Sequence, residues 1–267
     1  MTLSPRKTRI SVRYPAEWEP QEAIWLAFPH NPKNWNGERG KKIRTFYLKL
    51  IHTLSDVQKG NVLVPCEKFF AENEKCYMSN RPHTVNVYII KNNDIWIRDY
   101  GPFFLKRGEK TCIKQTEFNA WGAKFPPWNL DNNVPSEIAK KLHFKHISSI
   151  PVIFEGGAVE INGDGLGKTT LDCLIGKNRN PDPKWTNLTK TIKRAFGLRD
   201  LLVLPHGLHG DHTDGHIDNV ARFVAKDRIV MCEAESKQSP NAPILAEAHF
   251  LLKNWLELHY GKKARVD

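Results

Sequence analysis

The stretch from His206 to Val220 carries four histidines, three aspartates and three glycines within fifteen residues. An apolar run, Leu201 to Leu204, precedes it and an alternating one, Val220 to Val224, follows. This reads as strand, polar loop, strand. A loop held by rigid strands is where catalytic groups concentrate. A cluster of this composition could bind a metal, move protons or grip a cation, and by itself it does not choose.

Two further acidic positions share its setting. Asp99 lies in Asp94-Ile95-Trp96-Ile97-Arg98-Asp99-Tyr100-Gly101-Pro102, and Glu155 opens Glu155-Gly156-Gly157. Each, like Asp218, stands where a loop gives way to a strand–turn–strand pattern, at separations of 56 and 63 residues. Such repetition predicts modules whose equivalent positions face a common place, bringing three carboxylates into one pocket. Carboxylates so gathered raise one another's pKa unless a cation sits among them. A planar guanidinium suits them, since its N–H forks match carboxylates in pairs. Trp96 could wall the cation. His216, two residues before Asp218, is placed to act as acid and base beside that carboxylate. His206, His209 and His212 have no individual role on this reading. The rival assigns His206, His209, Asp211, His212 and His216 to a metal-dependent hydrolase, but their spacing is not that of HxHxDH or HExxH motifs.

The elements that must position these groups alternate. Strands are expected at 23–29, 61–65, 84–90, 103–105, 110–118, 150–154, 158–161, 168–175, 201–205, 220–224 and 228–232. Helices are expected at about 40–57, 135–142 (with Pro135 in the first turn), 185–197 and 243–259. That is an α/β pattern. Residues 1–14 form a polar leader, and 15–267 a single domain.

Composition narrows the class. The chain has 267 residues, 40% hydrophobic and 26% charged, as in an ordinary globular protein. No apolar run nears the roughly 20 residues of a membrane span, and no apolar signal core follows the basic start, so a cytoplasmic protein without membrane partners is expected. The net charge of +11 is dispersed and no nucleic-acid motif accompanies it, so a nucleic-acid partner is not expected. The five cysteines, Cys66, Cys76, Cys112, Cys173 and Cys232, form no CxxC pair. They read as reduced, mostly buried thiols rather than a disulfide or zinc framework.

Jointly these motifs resemble the agmatine deiminase and Porphyromonas-type peptidyl-arginine deiminase family. The resemblance rests on Trp18-Glu19-Pro20, Trp25-Leu26-Ala27-Phe28-Pro29-His30, Asp94-x-Trp96-x-Arg98-Asp99-x-Gly101-Pro102, Glu155-Gly156-Gly157, Asn178-Arg179-Asn180-Pro181, Asp211-x-Thr213-Asp214-Gly215-His216-x-Asp218-Asn219 and Asn241-Ala242-Pro243, in order. It implies an α/β-propeller (pentein) of ββαβ-type modules around a pseudo-fivefold axis. It also implies cofactor-free hydrolysis of a guanidine, such as agmatine on the route to putrescine, to a urea and ammonia. A cysteine thiolate attacks the guanidinium carbon, and histidine passes protons. Carried over, Asp99 and Asp218 grip the guanidinium, Glu155 supports it electrostatically, His216 is the acid/base, and Trp96 and Asp214 line the pocket. The implied partner is a small cationic guanidine, with homo-oligomerisation left open. The family's Gly-rich His-Cys motif is not found in this sequence, so the expectation is a scaffold lacking most or all of the last module. Such a chain would be inactive for want of its nucleophile, or would be a non-catalytic binder of guanidinium compounds or of a partner chain. Cys112, Cys173 and Cys232, expected in strands, are poor substitutes.

Overall fold

The computed structural model describes residues 12–74, 84–144, 147–176, 178–181 and 185–267. Most of the expected leader and Cys76 lie outside the described residues. The first sheet is wholly parallel: β2 (Ile24–Ala27), β3 (Gly60–Val64) and β4 (Val85–Ile89) lie in that order, linked by α1 (Gly37–Ser55) and α2 (Glu67–Glu74). Its helix-facing side buries Phe28, Ile51, Val62 and Val64.

The next three sheets repeat one plan. A short helical turn leads into an antiparallel hairpin, and a helical crossover then returns a third strand parallel to the second. In the first unit the turn is α3 (Ile97–Tyr100) and the hairpin is β5 (Phe103–Arg107) with β6 (Lys110–Glu117). The crossover holds α4 (Ala120–Ala123) and α5 (Asn129–Lys141) before β7 (Ile147–Ile153), and β1 (Val12–Arg13) adds to the β5 edge. In the second, a 3-10 turn at Gly156–Ala158 precedes β8 (Glu160–Ile161) and β9 (Leu166–Thr170). Then α6 (Leu171–Ile175) and α7 (Trp185–Phe196) lead to β10 (Asp200–Leu204). In the third, a 3-10 turn at Ile217–Asn219 precedes β11 (Ala221–Ala225) and β12 (Arg228–Met231), and α8 (Asn241–Tyr260) returns β13 (Arg265–Val266). The fold is a mixed α/β one, and the repetition expected from Asp99, Glu155 and Asp218 is present as three hairpin units. Asp99 and Asp218 sit within the helical turns ahead of their hairpins, whereas Glu155 is extended and immediately precedes its turn, just past β7.

Apolar clusters fill the seams between units. One joins Phe103 and Leu105 of β5, Ile150 and Val152 of β7, and Ile192 and Phe196 of α7. Another sets Leu245, Leu252 and Leu256 of α8 against Leu204, Phe223 and Ile229.

Three local expectations need correction. Pro135 is not in a first turn: α5 starts at Asn129, and the proline is buried inside the helix. The early start is anchored by tertiary bonds, since the Asp131 carboxylate accepts the Asn93 N–H at 2.6 Å and Asn93 Oδ1 accepts the Leu130 N–H at 2.8 Å. Residues 168–175 are not one strand. The Thr170 hydroxyl caps α6 by accepting the Cys173 N–H at 3.2 Å, so Cys173 is helical. Cys232 lies just past β12 and, like Cys66, is exposed; of the described cysteines only Cys173 is fully buried, and Cys112 is half-buried in β6.

Phe196, fully buried, packs its ring 4.9 Å from Phe103 and 5.4 Å from Tyr14. Phe196→Ala is expected to cost about 3–5 kcal/mol, read as a lowered midpoint in urea unfolding.

Candidate active site

The three short turns pack in a row, α3 on Gly156–Ala158 and that turn on Ile217–Asn219. Close approach is possible because the second turn is glycine: a Cβ on Gly156 would lie 2.0 Å from the Arg98 carbonyl oxygen. A Cβ on Gly157 would lie 2.4 Å from His216 Nδ1 and 2.9 Å from both Asp218 Oδ2 and Asp99 Oδ1. Those side chains therefore close around one backbone atom. His216 Nδ1 is 3.8 Å from Asp99 Oδ1 and 3.8 Å from Asp218 Oδ1, while its Nε2 is 3.8 Å from Glu155 Oε2. Each distance exceeds an ordinary hydrogen bond, so these are electrostatic neighbours. His216 Nε2 and Glu155 Oε2 are both buried and have no hydrogen-bond partner among the described residues.

Charge decides the protonation states. Burial lowers the His216 pKa, but Glu155, Asp99 and Asp218 outweigh it and the net shift is upward. Burial raises the Asp99 carboxyl, with Glu155 and Asp218 adding to the rise against His216 and the Gly157 N–H. Burial also raises Glu155, yet His216 and Arg179 bring it below the ordinary carboxylate value. Arg179 is the partner sequence reasoning missed. Its Nε donates to Glu155 Oε1 at 2.8 Å, both side chains being buried, and its Nη2 donates to the Thr213 carbonyl. The only signal for it was its place in Asn178-Arg179-Asn180-Pro181.

The histidine loop is uneven. His216 is 2% exposed, whereas His206, His209 and His212 are exposed. Asp211 is spent on the loop: it accepts from the Thr213, Gly215 and His216 N–H groups, the Thr213 hydroxyl and the Asn219 amide. Asn241 Oδ1 accepts the His209 N–H at 2.7 Å, tying the loop to α8. Among the described residues no group of three or more His, Cys, Asp or Glu is arranged to hold a metal, so the metal-ligand set of the rival reading is not assembled. Asp214 stands apart from the cluster, ion-paired with Lys124 at 2.5 Å. It helps line a cavity of about 590 Å³ with Arg179, Asp211, Asp172 and Gly215, which adjoins the cluster but is not lined by Asp99, Asp218 or His216. Trp96 is 46% exposed and meets the buried Trp121 edge-on at 6.1 Å. Two described thiols border the loop: Cys173 Sγ is 3.8 Å from the Asp214 carbonyl, and burial pushes its pKa well up, while the exposed Cys232 Sγ is 3.1 Å from the Asn219 carbonyl.

Fold and site together describe a mixed α/β protein of repeated hairpin units whose seam holds one imidazole among three carboxylates. The chain belongs to the family of Porphyromonas-type peptidyl-arginine deiminases, whose family model it matches over residues 13–266. Members of this family are hydrolases acting on C–N bonds. The chain is 29% identical over 259 residues to the agmatine deiminase of Pseudomonas syringae pv. tomato, covering 95% of this chain and 69% of that one. It is similar in structure to the C. jejuni agmatine deiminase with substrate bound, a cysteine-to-serine variant, with a TM-score of 0.82 and 32% identity over 91% of this chain and 71% of that one. The Enterococcus faecalis agmatine deiminase aligns with a TM-score of 0.84 and 27% identity, covering 96% of this chain and 70% of that one. No helix among the described residues is long and apolar enough to cross a membrane.

Two outcomes follow for His216. Its folded pKa lies above the unfolded value of about 6.5, so its stabilising contribution is complete below that pH and is lost as pH rises through the folded value. His216→Gln should remove that loss from the pH profile of thermal unfolding. In Gly157→Ala the added methyl displaces the carboxylates, so an NMR titration of His216 should move down toward 6.5; an unmoved titration would show the ring's pKa is set elsewhere.

Proposed function

We propose that the cluster receives a guanidinium and serves its hydrolysis to a urea and ammonia, with agmatine the favoured substrate. The observation that carries the reading is the convergence of Asp99, Glu155 and Asp218 on one imidazole within 3.8 Å. A delocalised cation among these groups relieves their mutual repulsion and restores the charged form of Asp99. Asp99 and Asp218 take the guanidinium N–H groups, Glu155 supplies charge from the far side of the ring, and Trp96 walls the approach. Asp214 lines the outer pocket. The choice of agmatine rests on the names of the relatives. The hairpin units are consistent with blades of an α/β-propeller about a pseudo-fivefold axis, in a single deiminase domain.

In the chemistry implied by the family, a thiolate adds to the guanidinium carbon and the C–N bond breaks as His216 gives its proton to departing ammonia. Water, giving its proton to His216, then attacks the thiouronium carbon and the C–S bond breaks. His216, with its pKa raised, is suited to both transfers. Of the described thiols, Cys173 is buried with its pKa pushed up, a state in which a thiol is inert, and the exposed Cys232 donates from its Sγ to the Asn219 carbonyl at 3.1 Å; none hydrogen-bonds to His216. The reading is therefore of a guanidinium-binding scaffold in which no described thiol is placed beside His216 for the attack.

Calorimetry should detect agmatine binding. Asp99→Asn and Asp218→Asn should each weaken it about tenfold or more, the value of a charged hydrogen bond. No ammonia should be released. Release of ammonia that survives a thiol-alkylating reagent would overturn the thiolate mechanism, and absence of binding by the unmodified chain would overturn the site.

A further inference from the structure

We propose that the turn Ala120–Ala123 is a positioning device for the site, acting through Trp121, whose indole N–H fixes the Asp99 carboxylate in place. The proposal rests on Asp99 being a guanidinium ligand, as argued above, and it concerns a residue to which the motif readings gave no role.

The backbone is the first observation. Ala120, Trp121, Gly122 and Ala123 have φ values of 53°, 55°, 84° and 64°, one complete left-handed turn of which three residues are not glycine. It carries helix-type bonds, from Ala123 N–H to Asn119 O at 2.7 Å and from Lys124 N–H to Ala120 O at 3.2 Å. L residues wound this way crowd Cβ against the following carbonyl, and such turns persist only where surrounding contacts over-determine them.

Those contacts are present on both sides. Asn119 Oδ1 accepts the Gly122 N–H at 2.9 Å, and Asn119 Nδ2 donates to the Asn178 carbonyl at 2.8 Å. Lys124 reaches across to the histidine loop, donating to the His212 carbonyl at 2.9 Å and pairing with Asp214 at 2.5 Å. The turn is thus tied to the segment that carries Arg179 and to the loop that carries His216.

What the strained turn delivers is the edge of one indole. Trp121 is buried, with Trp96, Phe118 and Phe125 edge-on at 6.1, 5.3 and 5.7 Å. Its Nε1–H donates to Asp99 Oδ2 at 3.1 Å, while Asp99 Oδ1 accepts the Gly157 N–H at 3.0 Å. Each oxygen is held by a donor from a different unit, so rotating the carboxylate breaks one bond or the other. The groups facing Asp99 from neighbouring elements are His216, Glu155 and Asp218. Arg98, its chain neighbour, is directed instead to Glu17, Glu160 and Asp218. Burying a tryptophan needs no left-handed backbone, whereas bringing its N–H onto Asp99 from this segment is what the observed turn achieves. Preorganising a ligating group in this way saves its ordering cost when the ligand arrives.

The test removes the N–H, once with a smaller ring and once with the bicyclic shape kept. Trp121→Phe, and a chain with benzothienylalanine at position 121 (sulfur in place of N–H), are compared with the native chain. The Asp99 carboxyl is titrated by carbon NMR without ligand, and agmatine affinity is measured by calorimetry. Loss of one donor to the ionised carboxylate should raise the Asp99 midpoint by about one pH unit and weaken agmatine about tenfold near neutral pH. The benzothienylalanine chain preserves shape and carries the test if Trp121→Phe does not fold. An Asp99 midpoint unchanged in a folded variant overturns the proposal, since packing alone would account for Trp121. A shifted midpoint in a chain that binds no agmatine keeps the positioning role and removes the guanidine reading.

Discussion

Everything near the site answers to one electrostatic demand, that three carboxylates and one imidazole share a volume almost closed to water. Two like charges a few ångströms apart in a weakly polar interior cannot both persist uncompensated. The protein meets this with the His216 ring among the three carboxylates, with Arg179 on Glu155, and with backbone or indole N–H groups on Asp99. The demand also explains why the three turns are so tightly opposed. A looser seam would separate the carboxylates from the imidazole and leave buried charge unpaired.

Behind the site a second charged layer carries the same logic outward. Arg98 pairs with Glu17 and sits 3.6 Å from Glu160 and 3.9 Å from Asp218, so it links the cluster to the interior network. Glu160 in turn lies between Arg222 and the fully buried Lys168, whose ammonium donates to the Ala221 carbonyl and rests 4.9 Å from the Phe223 ring. Complete burial holds this lysine below its ordinary pKa, with Glu160 opposing the shift. Buried pairs of this kind contribute little net stability against apolar replacements, but removing one partner is costly. They therefore fix the relative placement of the units more than they strengthen the fold.

Much of the arrangement was legible in the chain. Hydrophobic periodicity located most strands and three of the longer helices to within a few residues, and the spacing of Asp99, Glu155 and Asp218 exposed the repeated unit. The misjudged elements share a cause. Pro135 and the 168–175 run were judged by local propensity, while Asn93, Asp131 and the Thr170 hydroxyl settled them through contacts. The left-handed turn at 120–123 carries only one glycine and gives no local sign of its conformation.

The sequence by itself determined which kinds of group the site would contain and the order in which the chain presents them. It also determined the family, because the motif series is specific as a set. Only the tertiary structure decided which histidine matters, since four histidines of similar local setting differ in burial once the loop packs. It likewise decided that Arg179 balances Glu155 and that Trp121 reaches Asp99. Those contacts join residues far apart in the chain, and their distances are set by how the units close on one another, which local pattern does not encode.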